Sequence, residues 1–287
     1  MQPSPQEIKT FQTKILSWYR EHQRDLPWRK TRDPYKILIS EVMSQQTQIG
    51  RVIPKYEVWL EAFPTVQDLA SARTSEVLRH WSGLGYNRRA MNVQKAAQMV
   101  VNHYNGVFPM EPSELEKLPG IGRYTSHAIS CFAYDQQVAV VDTNVRKVIA
   151  VEFFKGVLPK EKVVEETAQK ILPKGQAYAW NQALMDYAGA VLKEHKILPR
   201  SGILLRKTKQ SHFFSSNRYF RGQTMKLLLA SSPLLFTDLL AFFIKQGREI
   251  EKGRLQILVE QLGKEGFLSF ENGVIKLPDL PAPPKSR

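Results

Sequence analysis

Cysteine is all but missing from this 287-residue chain, with Cys131 standing alone. One thiol excludes an intramolecular disulfide framework, a cysteine-built zinc site and a cysteine-held iron–sulfur cluster. Its apolar neighbours mark Cys131 as a buried structural residue, compatible with a reducing cytoplasm. Long apolar runs are missing too. No stretch approaches the roughly 18 residues that a membrane span needs. The opening MQPSPQEIK has no apolar segment of the kind a secretory leader carries. Acidic residues disappear between 195 and 237, where eight Lys or Arg stand without one Asp or Glu. No alternating strand pattern interrupts the first 200 residues, and no internal repeat is visible.

What is present is an ordinary globular composition, 43% apolar and 24% charged, long enough for two or three domains. The formal net charge of +14 favours a polyanionic partner, nucleic acid first, with an anionic membrane surface or plain solubility as the alternatives. Ile8, Phe11, Ile15, Trp18 and Tyr19 recur at helical spacing over residues 5–22. Asp33 is expected to cap a helix that starts at Pro34. Helices are also expected near 49–62, 65–70, 74–80, 87–104, 112–117, 123–135, 143–154, 160–171 and 175–195. QQVAVVDTN is brief and β-like, without support for a sheet. The main body is therefore all-helical. Residues 201–216 read as a basic linker. Residues 217–287 read as three helices and a hairpin turning at Asn-Gly, a small winged-helix-like domain suited to duplex DNA or to docking.

The stretch LPGIGRYT (118–125) sits between two helical segments. Gly120 and Gly122 are free to take positive φ, and their N–H groups adjoin the start of a helix. Such a nest suits a phosphate, with a backbone-bound monovalent or divalent cation at Leu118 and Gly120 completing it. Leu118 and Ile121 would anchor the turn. The plain alternative is a helix–helix turn.

Two carboxylates stand out. Glu41 interrupts the apolar run KILISEVM, where partial burial would raise its pKa and let it hold a proton near neutrality; a solvated surface Glu is the alternative. Asp142 is expected to cap a helix by accepting from Asn144 or Val145 N–H, and the same bonds would keep it ionised. A fixed negative charge there could steady a cationic sugar, with Asn144 holding the sugar or a water. If the two carboxylates meet, they form a pair for glycosidic cleavage, but spacing along the chain does not show that they do.

LPWRKTRDPYKILISEVMSQQTQ (26–48), WSGLGYNRRA (81–90), LPGIGRYTSHAI (118–129) and VDTNVRKV (141–148) together resemble the helix–hairpin–helix DNA glycosylases, and among them the MutY-like adenine glycosylases. The resemblance covers about residues 5–195. It implies a mainly α, two-lobed helix–hairpin–helix glycosylase fold, one lobe formed by 28–135 and the other by 1–27 with 136–200. It implies that Glu41 protonates the adenine, that Asp142 stabilises the sugar cation beside Asn144, and that Tyr124 assists both carboxylates. Tyr124 occupies the place of a lysine in the lyase branch, so a monofunctional N-glycosyl hydrolase is expected. Trp28, Arg29 and Asp186 would line the adenine pocket. Gln46 and Tyr86 would enter the base stack, with a surface polar residue and a core aromatic as the alternatives; Arg123 with Gly120 and Gly122 would meet phosphates, and Arg88 and Arg89 stand for phosphate contact or plain solvation. Trp59 and Trp81 are assigned to packing.

The chain departs from the family pattern at several positions. Ser44 stands where the family often has leucine, Thr143 where it has glycine, Arg146 where lysine is common, and Asp186 where glutamate is frequent. The family's [4Fe–4S] cysteines are missing, with Leu192 near the first ligand position and Val191, Ile197 and Leu198 expected to fill the space. No cofactor is therefore required. The usual C-terminal lesion-recognition domain is also unmatched, and the winged-helix-like domain would replace it as a clamp. The expected substrate is adenine opposite 8-oxoguanine or guanine in duplex DNA, handled by a cytoplasmic, nucleoid-associated monomer in base excision repair. A glycosylase for another base, and a non-catalytic damage-binding protein, are the alternatives.

Overall fold

The computed structural model describes residues 3–195, 197, 213–248 and 250–278. The basic linker expected at 201–216 therefore lies outside the described residues over 201–212. The chain divides into two compact units. The first takes Met1–Tyr56 and Asn102–Arg206, the second Glu57–Val101 and Lys207–Arg287.

The first unit opens with α1 (Pro5–His22), whose Phe11, Ile15 and Tyr19 are buried as the spacing requires. A capping box closes its N-terminus, with Ser4 accepting from Glu7 N–H and the Glu7 carboxylate accepting in return. A 3-10 turn at Pro27–Lys30 leads to α2 (Pro34–Ser44). Its Asp33 cap accepts from Tyr35 N–H at 2.9 Å. α3 (Ile49–Ala62) begins in this unit and runs on into the second. α6 (Arg88–His103), described with the second unit, ends in the first, which continues with α7 (Pro112–Leu115), α8 (Arg123–Tyr134), α9 (Thr143–Phe153), α10 (Glu161–Lys170) and α11 (Ala177–Ala190). α2 packs on α8, and α11 packs on both α1 and α9. The core gathers Ile37, Leu38, Ile39 and Met43 of α2 with Trp180 of α11, whose ring meets Phe11 edge-on at 5.6 Å. Cys131 is fully buried here as expected, and burial pushes its thiol up to about 12.

The β-like stretch before Asp142 forms no strand, and side-chain amides take the place of a partner strand. Asn181 Oδ1 accepts from Val140 N–H at 2.9 Å, and its Nδ2 donates to the carbonyls of Val138 and Ala177. Gln169 accepts from Ala139 N–H at 3.0 Å and donates to the Gln137 carbonyl. The pairing that a sheet would supply is met by two helices, which is why a β-coloured sequence stays single.

The second unit holds α4 (Val66–Ser71), α5 (Thr74–Trp81) and most of α6, packed around Trp59 and Trp81, both fully buried with rings 5.5 Å apart. Later in the chain come α12 (Asn217–Ala230), β1 (Leu234–Leu235), α13 (Phe236–Lys245), α14 (Lys252–Lys264), β2 (Ser269–Glu271) and β3 (Val274–Lys276). The strands form one antiparallel sheet in the order β1-β3-β2. This is the helix and strand order of a winged helix, and the fold as a whole is mainly α. The hairpin turns at Asn272-Gly273, both at positive φ. β1 adds to the expected hairpin. Two leucines after Pro233 give too short a run to read as a strand, and it forms because the β3 edge is there to receive it. Phe220 and Phe243 centre this core at 5.0 Å.

Asn181→Ala removes the acceptor for the buried Val140 N–H and is expected to destabilise the fold by about 1–3 kcal/mol, measured by urea unfolding. Loss well below that range would show that water replaces the amide.

Candidate active site

Four local structures in the first unit supply the site. α2 carries Glu41 between buried Ser40 and Val42. Gly122 caps α8, placing Tyr124 in its first turn. The Tyr124 hydroxyl donates to Glu41 Oε2 at 2.6 Å. Asp142 caps α9, its Oδ1 accepting from Val145 N–H at 2.7 Å and its Oδ2 from Asn144 Nδ2 at 2.7 Å. Asp142 is close enough to Glu41 to oppose its ionisation, and both carboxylates act on the Tyr124 hydroxyl. The structure thus brings together residues that lie far apart in the chain.

Burial pushes the Glu41 carboxyl up to about 7; the Tyr124 hydrogen bond pulls it down, Asp142 adds to the rise and Arg29 subtracts. The Tyr124 hydroxyl is raised well above its ordinary value, again chiefly by burial, so it stays a donor. For Asp142 the expectation needs correction. Burial outweighs the bonds from Val145 and Asn144 and raises its pKa above the ordinary carboxylate value. Capping bonds alone do not set its charge, because the same fold that supplies them removes water. Asn144 spends its amide on Asp142 and so orients the carboxylate.

Arg29 sits in the 3-10 turn and makes a two-pronged bond to Asp186 of α11, at 2.8 and 2.9 Å. Arg24, which the sequence did not single out, adds Nε to Asp186 Oδ1 at 2.6 Å. Asp186 is 3% exposed; burial opposes its charge, but the two guanidinium groups outweigh that and hold its pKa low. Its immediate work is to fix Arg29, whose buried Nε has no hydrogen-bond partner within the protein. Trp28 is 8% exposed and meets Tyr56 edge-on at 5.3 Å. Asn181, also missed, carries the same sequence signal as Glu41: a polar residue inside an apolar helix.

In the hairpin, Gly120 takes φ +79°, but Gly122 is extended at φ −98°. The expected freedom of Gly122 is therefore not used; it is the helix cap. A Cβ built there would meet nothing within 4 Å, so its smallness leaves open backbone. Leu118 and Ile121 are 2% and 5% exposed and anchor the turn as expected, the Leu118 carbonyl accepting from Ile121 N–H at 3.1 Å. Arg123 pairs with Glu165 at 3.0 Å. Among the described residues no group of three or more His, Cys, Asp or Glu could hold a metal. Leu192 is buried at 3% as expected, whereas Val191 is 43% exposed and fills no space; Leu198 lies outside the described residues. With one cysteine in these 287 residues, the chain does not fit a four-cysteine cluster.

Gln46 is exposed and held at φ +54°. In the second unit, Tyr86 is 46% exposed at φ +49°. Arg88 is exposed, but Arg89 turns inward and donates to the carbonyls of Leu84 and Gly85, both at 3.1 Å. Arg89 therefore braces the loop that presents Tyr86.

Residues 39–174 match the family described as HhH-GPD superfamily base excision DNA repair protein. The adenine DNA glycosylase of Mycolicibacterium smegmatis is 40% identical over 192 residues, 66% of this chain and 65% of that protein. The adenine DNA glycosylase of Homo sapiens is 38% identical over 198 residues, 64% of this chain and 36% of that protein. The chain thus spans less than two thirds of the length of these relatives. A solved thermostable thymine-DNA glycosylase superposes with a TM-score of 0.63 at 31% identity, over 67% of this chain and 90% of that one. An endonuclease III trapped covalently on DNA superposes with a TM-score of 0.57 at 26% identity, over 64% of this chain and 86% of that one. The chain belongs to the HhH-GPD superfamily of base excision DNA repair proteins. No helix among the described residues is long and apolar enough to cross a membrane.

A raised Glu41 pKa means that the folded protein keeps a proton the unfolded chain releases. That contribution is complete below about 4.5 and is lost as pH rises through about 7. Glu41→Gln cannot titrate, so its stability relative to wild type is expected to improve by about 3 kcal/mol from about pH 4.5 to about pH 8 in urea melts. Parallel curves would show an ordinary Glu41.

Proposed function

We propose that the protein is a monofunctional adenine DNA glycosylase that hydrolyses the N-glycosidic bond of adenine opposite 8-oxoguanine or guanine in duplex DNA. The observation that carries this is the Glu41 carboxyl, raised to about 7 beside Tyr124 and Asp142. Adenine is a poor leaving group as an anion. Glu41 supplies a proton to a ring nitrogen, N7 being accessible, as the bond to the sugar breaks. Asp142, oriented by Asn144 and Val145, stabilises the positive charge that develops on the sugar. Tyr124 keeps its proton and holds Glu41 in place. Trp28 and Arg29 form the wall of the base pocket, with Asp186 fixing Arg29.

A base inside a duplex must first be extruded. Gln46 in the first unit and Tyr86 in the second are each exposed and held at positive φ, and each is read as a wedge side chain that enters the base stack. The open backbone at Gly120 and Gly122, with Arg123, takes phosphates, and a cation at the Leu118 and Gly120 carbonyls would complete that cradle; Arg88, in the second unit, meets a phosphate separately. Tyr124 is no nucleophilic amine, so the product is free adenine and an abasic site on an uncut strand. A second reading, a thymine glycosylase acting opposite guanine, draws on the similarity to the thymine-DNA glycosylase structure.

The test is base release under single-turnover conditions from duplexes carrying A·8-oxoguanine, A·G or T·G. Adenine is expected to leave, strands to break only after alkali, and the rate to fall as pH rises through about 7. Glu41→Gln is expected to cost about 10²–10⁴-fold while duplex binding persists. Thymine release without adenine release would overturn the substrate, and an unaffected variant would overturn the acid.

A further inference from the structure

Tyr86 is the one aromatic residue among the described non-glycine residues at positive φ. A bulky side chain there is strained, and the surrounding structure must hold it. Two guanidinium groups lie over its ring. Arg89, tied to the carbonyls just before Tyr86, lies 5.7 Å from the ring centroid. Arg218 lies nearer, at 4.7 Å, and comes from the first turn of α12 in the winged-helix-like domain. α12 packs on α5, the helix that leads into the Tyr86 loop, so Arg218 is delivered by a folded element and not by a free tail. Ser216 caps that helix, accepting from Tyr219 N–H at 3.3 Å.

The charge of the domain points the same way. α12 carries Arg218, Arg221 and Lys226 and no acidic residue. α14, which stands where a winged helix usually reads a groove, carries Lys252, Arg254 and Lys264 against Glu260, with Glu251 at its start, while Glu265 just past its end pairs with Arg221 of α12 at 2.7 Å and leaves Arg218 and Lys226 as the α12 cations outside that pair. Arg254 is moreover bound to Asn217 Oδ1 at 2.6 Å and the Ser215 carbonyl at 2.9 Å. The β2–β3 turn offers Glu271. Groove reading by α14 has little electrostatic support, whereas α12 sets a cation on the ring of Tyr86.

We propose that Arg218 is a positioning residue for Tyr86, and that through it the C-terminal domain governs how the wedge enters duplex DNA. The proposal rests on the reading of Tyr86 as a wedge. A guanidinium on one face of the ring restricts its rotation before DNA arrives, so less freedom is lost on insertion. Once a base takes that face, the displaced guanidinium is free for a neighbouring phosphate.

The experiment compares wild type, R218A, R218Q, R218K, Y86A and the R218A/Y86A pair. One readout is single-turnover adenine release from an A·8-oxoguanine duplex; the other is the fluorescence of a 2-aminopurine beside the purine opposite the adenine, which reports unstacking. R218A is expected to slow release about two- to fivefold and to shrink the fluorescence change, with R218K restoring both. In the Y86A background the R218A change is expected to have no further effect. R218Q keeps the test open should R218A lose the fold of the domain, which thermal melting reports. Effects of R218A that add to those of Y86A, or no effect of R218A and R218Q, would overturn the proposal and leave the wedge standing. Y86A matching wild type in both readouts would remove the wedge and the proposal together.

Discussion

Everything in this molecule converges on one desolvated, half-buried carboxyl that keeps its proton near neutral pH. Glu41 lies between apolar neighbours on α2, where water is scarce, and desolvation is the largest influence on its ionisation. The Tyr124 hydroxyl bond at 2.6 Å works against that rise but fixes the carboxyl in place. Asp142 adds a second negative group close by, which the fold can tolerate only because one of the two is readily neutral. An acid and a carboxylate with different environments within one site are the ingredients of glycosidic bond cleavage.

The rest of the first unit serves that arrangement. Asn181 and Gln169 hold residues 138–140 in place by hydrogen bonds without a sheet, just ahead of the point where Asp142 caps α9. Asp186 neutralises and orients Arg29, whose Nη1 also donates to the Arg24 carbonyl, and Arg29 in turn moderates the Glu41 proton. Helix caps thus recur as working parts. Asp142 is a cap, Gly122 is a cap, and Tyr124 stands in the turn that Gly122 opens.

Local signals in the sequence were strong where short-range chemistry decides the outcome. The Asp33–Pro34 start of α2, the Asp142 cap and the anchoring of the hairpin by Leu118 and Ile121 were all legible from residue type and spacing. The perturbation of Glu41 was legible only as one of two outcomes, since the apolar run left a solvated surface carboxylate open. What could not be read depends on long-range partners. The meeting of Glu41 with Asp142, the amide support under VAVV, and the pairing of Leu234–Leu235 with β3 are each made by residues far along the chain. The direction of the Asp142 shift was misjudged because its bonds are local and its desolvation is not. Arg89 looked like a phosphate ligand by sequence, and only the carbonyls of its own loop reveal its structural use.

The most direct measurement is a carbon-13 NMR titration of the labelled Glu41 side chain, assigned by its loss in the glutamine variant. A midpoint near 7, moving upward when Tyr124 is replaced by phenylalanine, is the predicted result. A midpoint at the ordinary value of 4.5, unmoved by that replacement, would contradict the account at its centre.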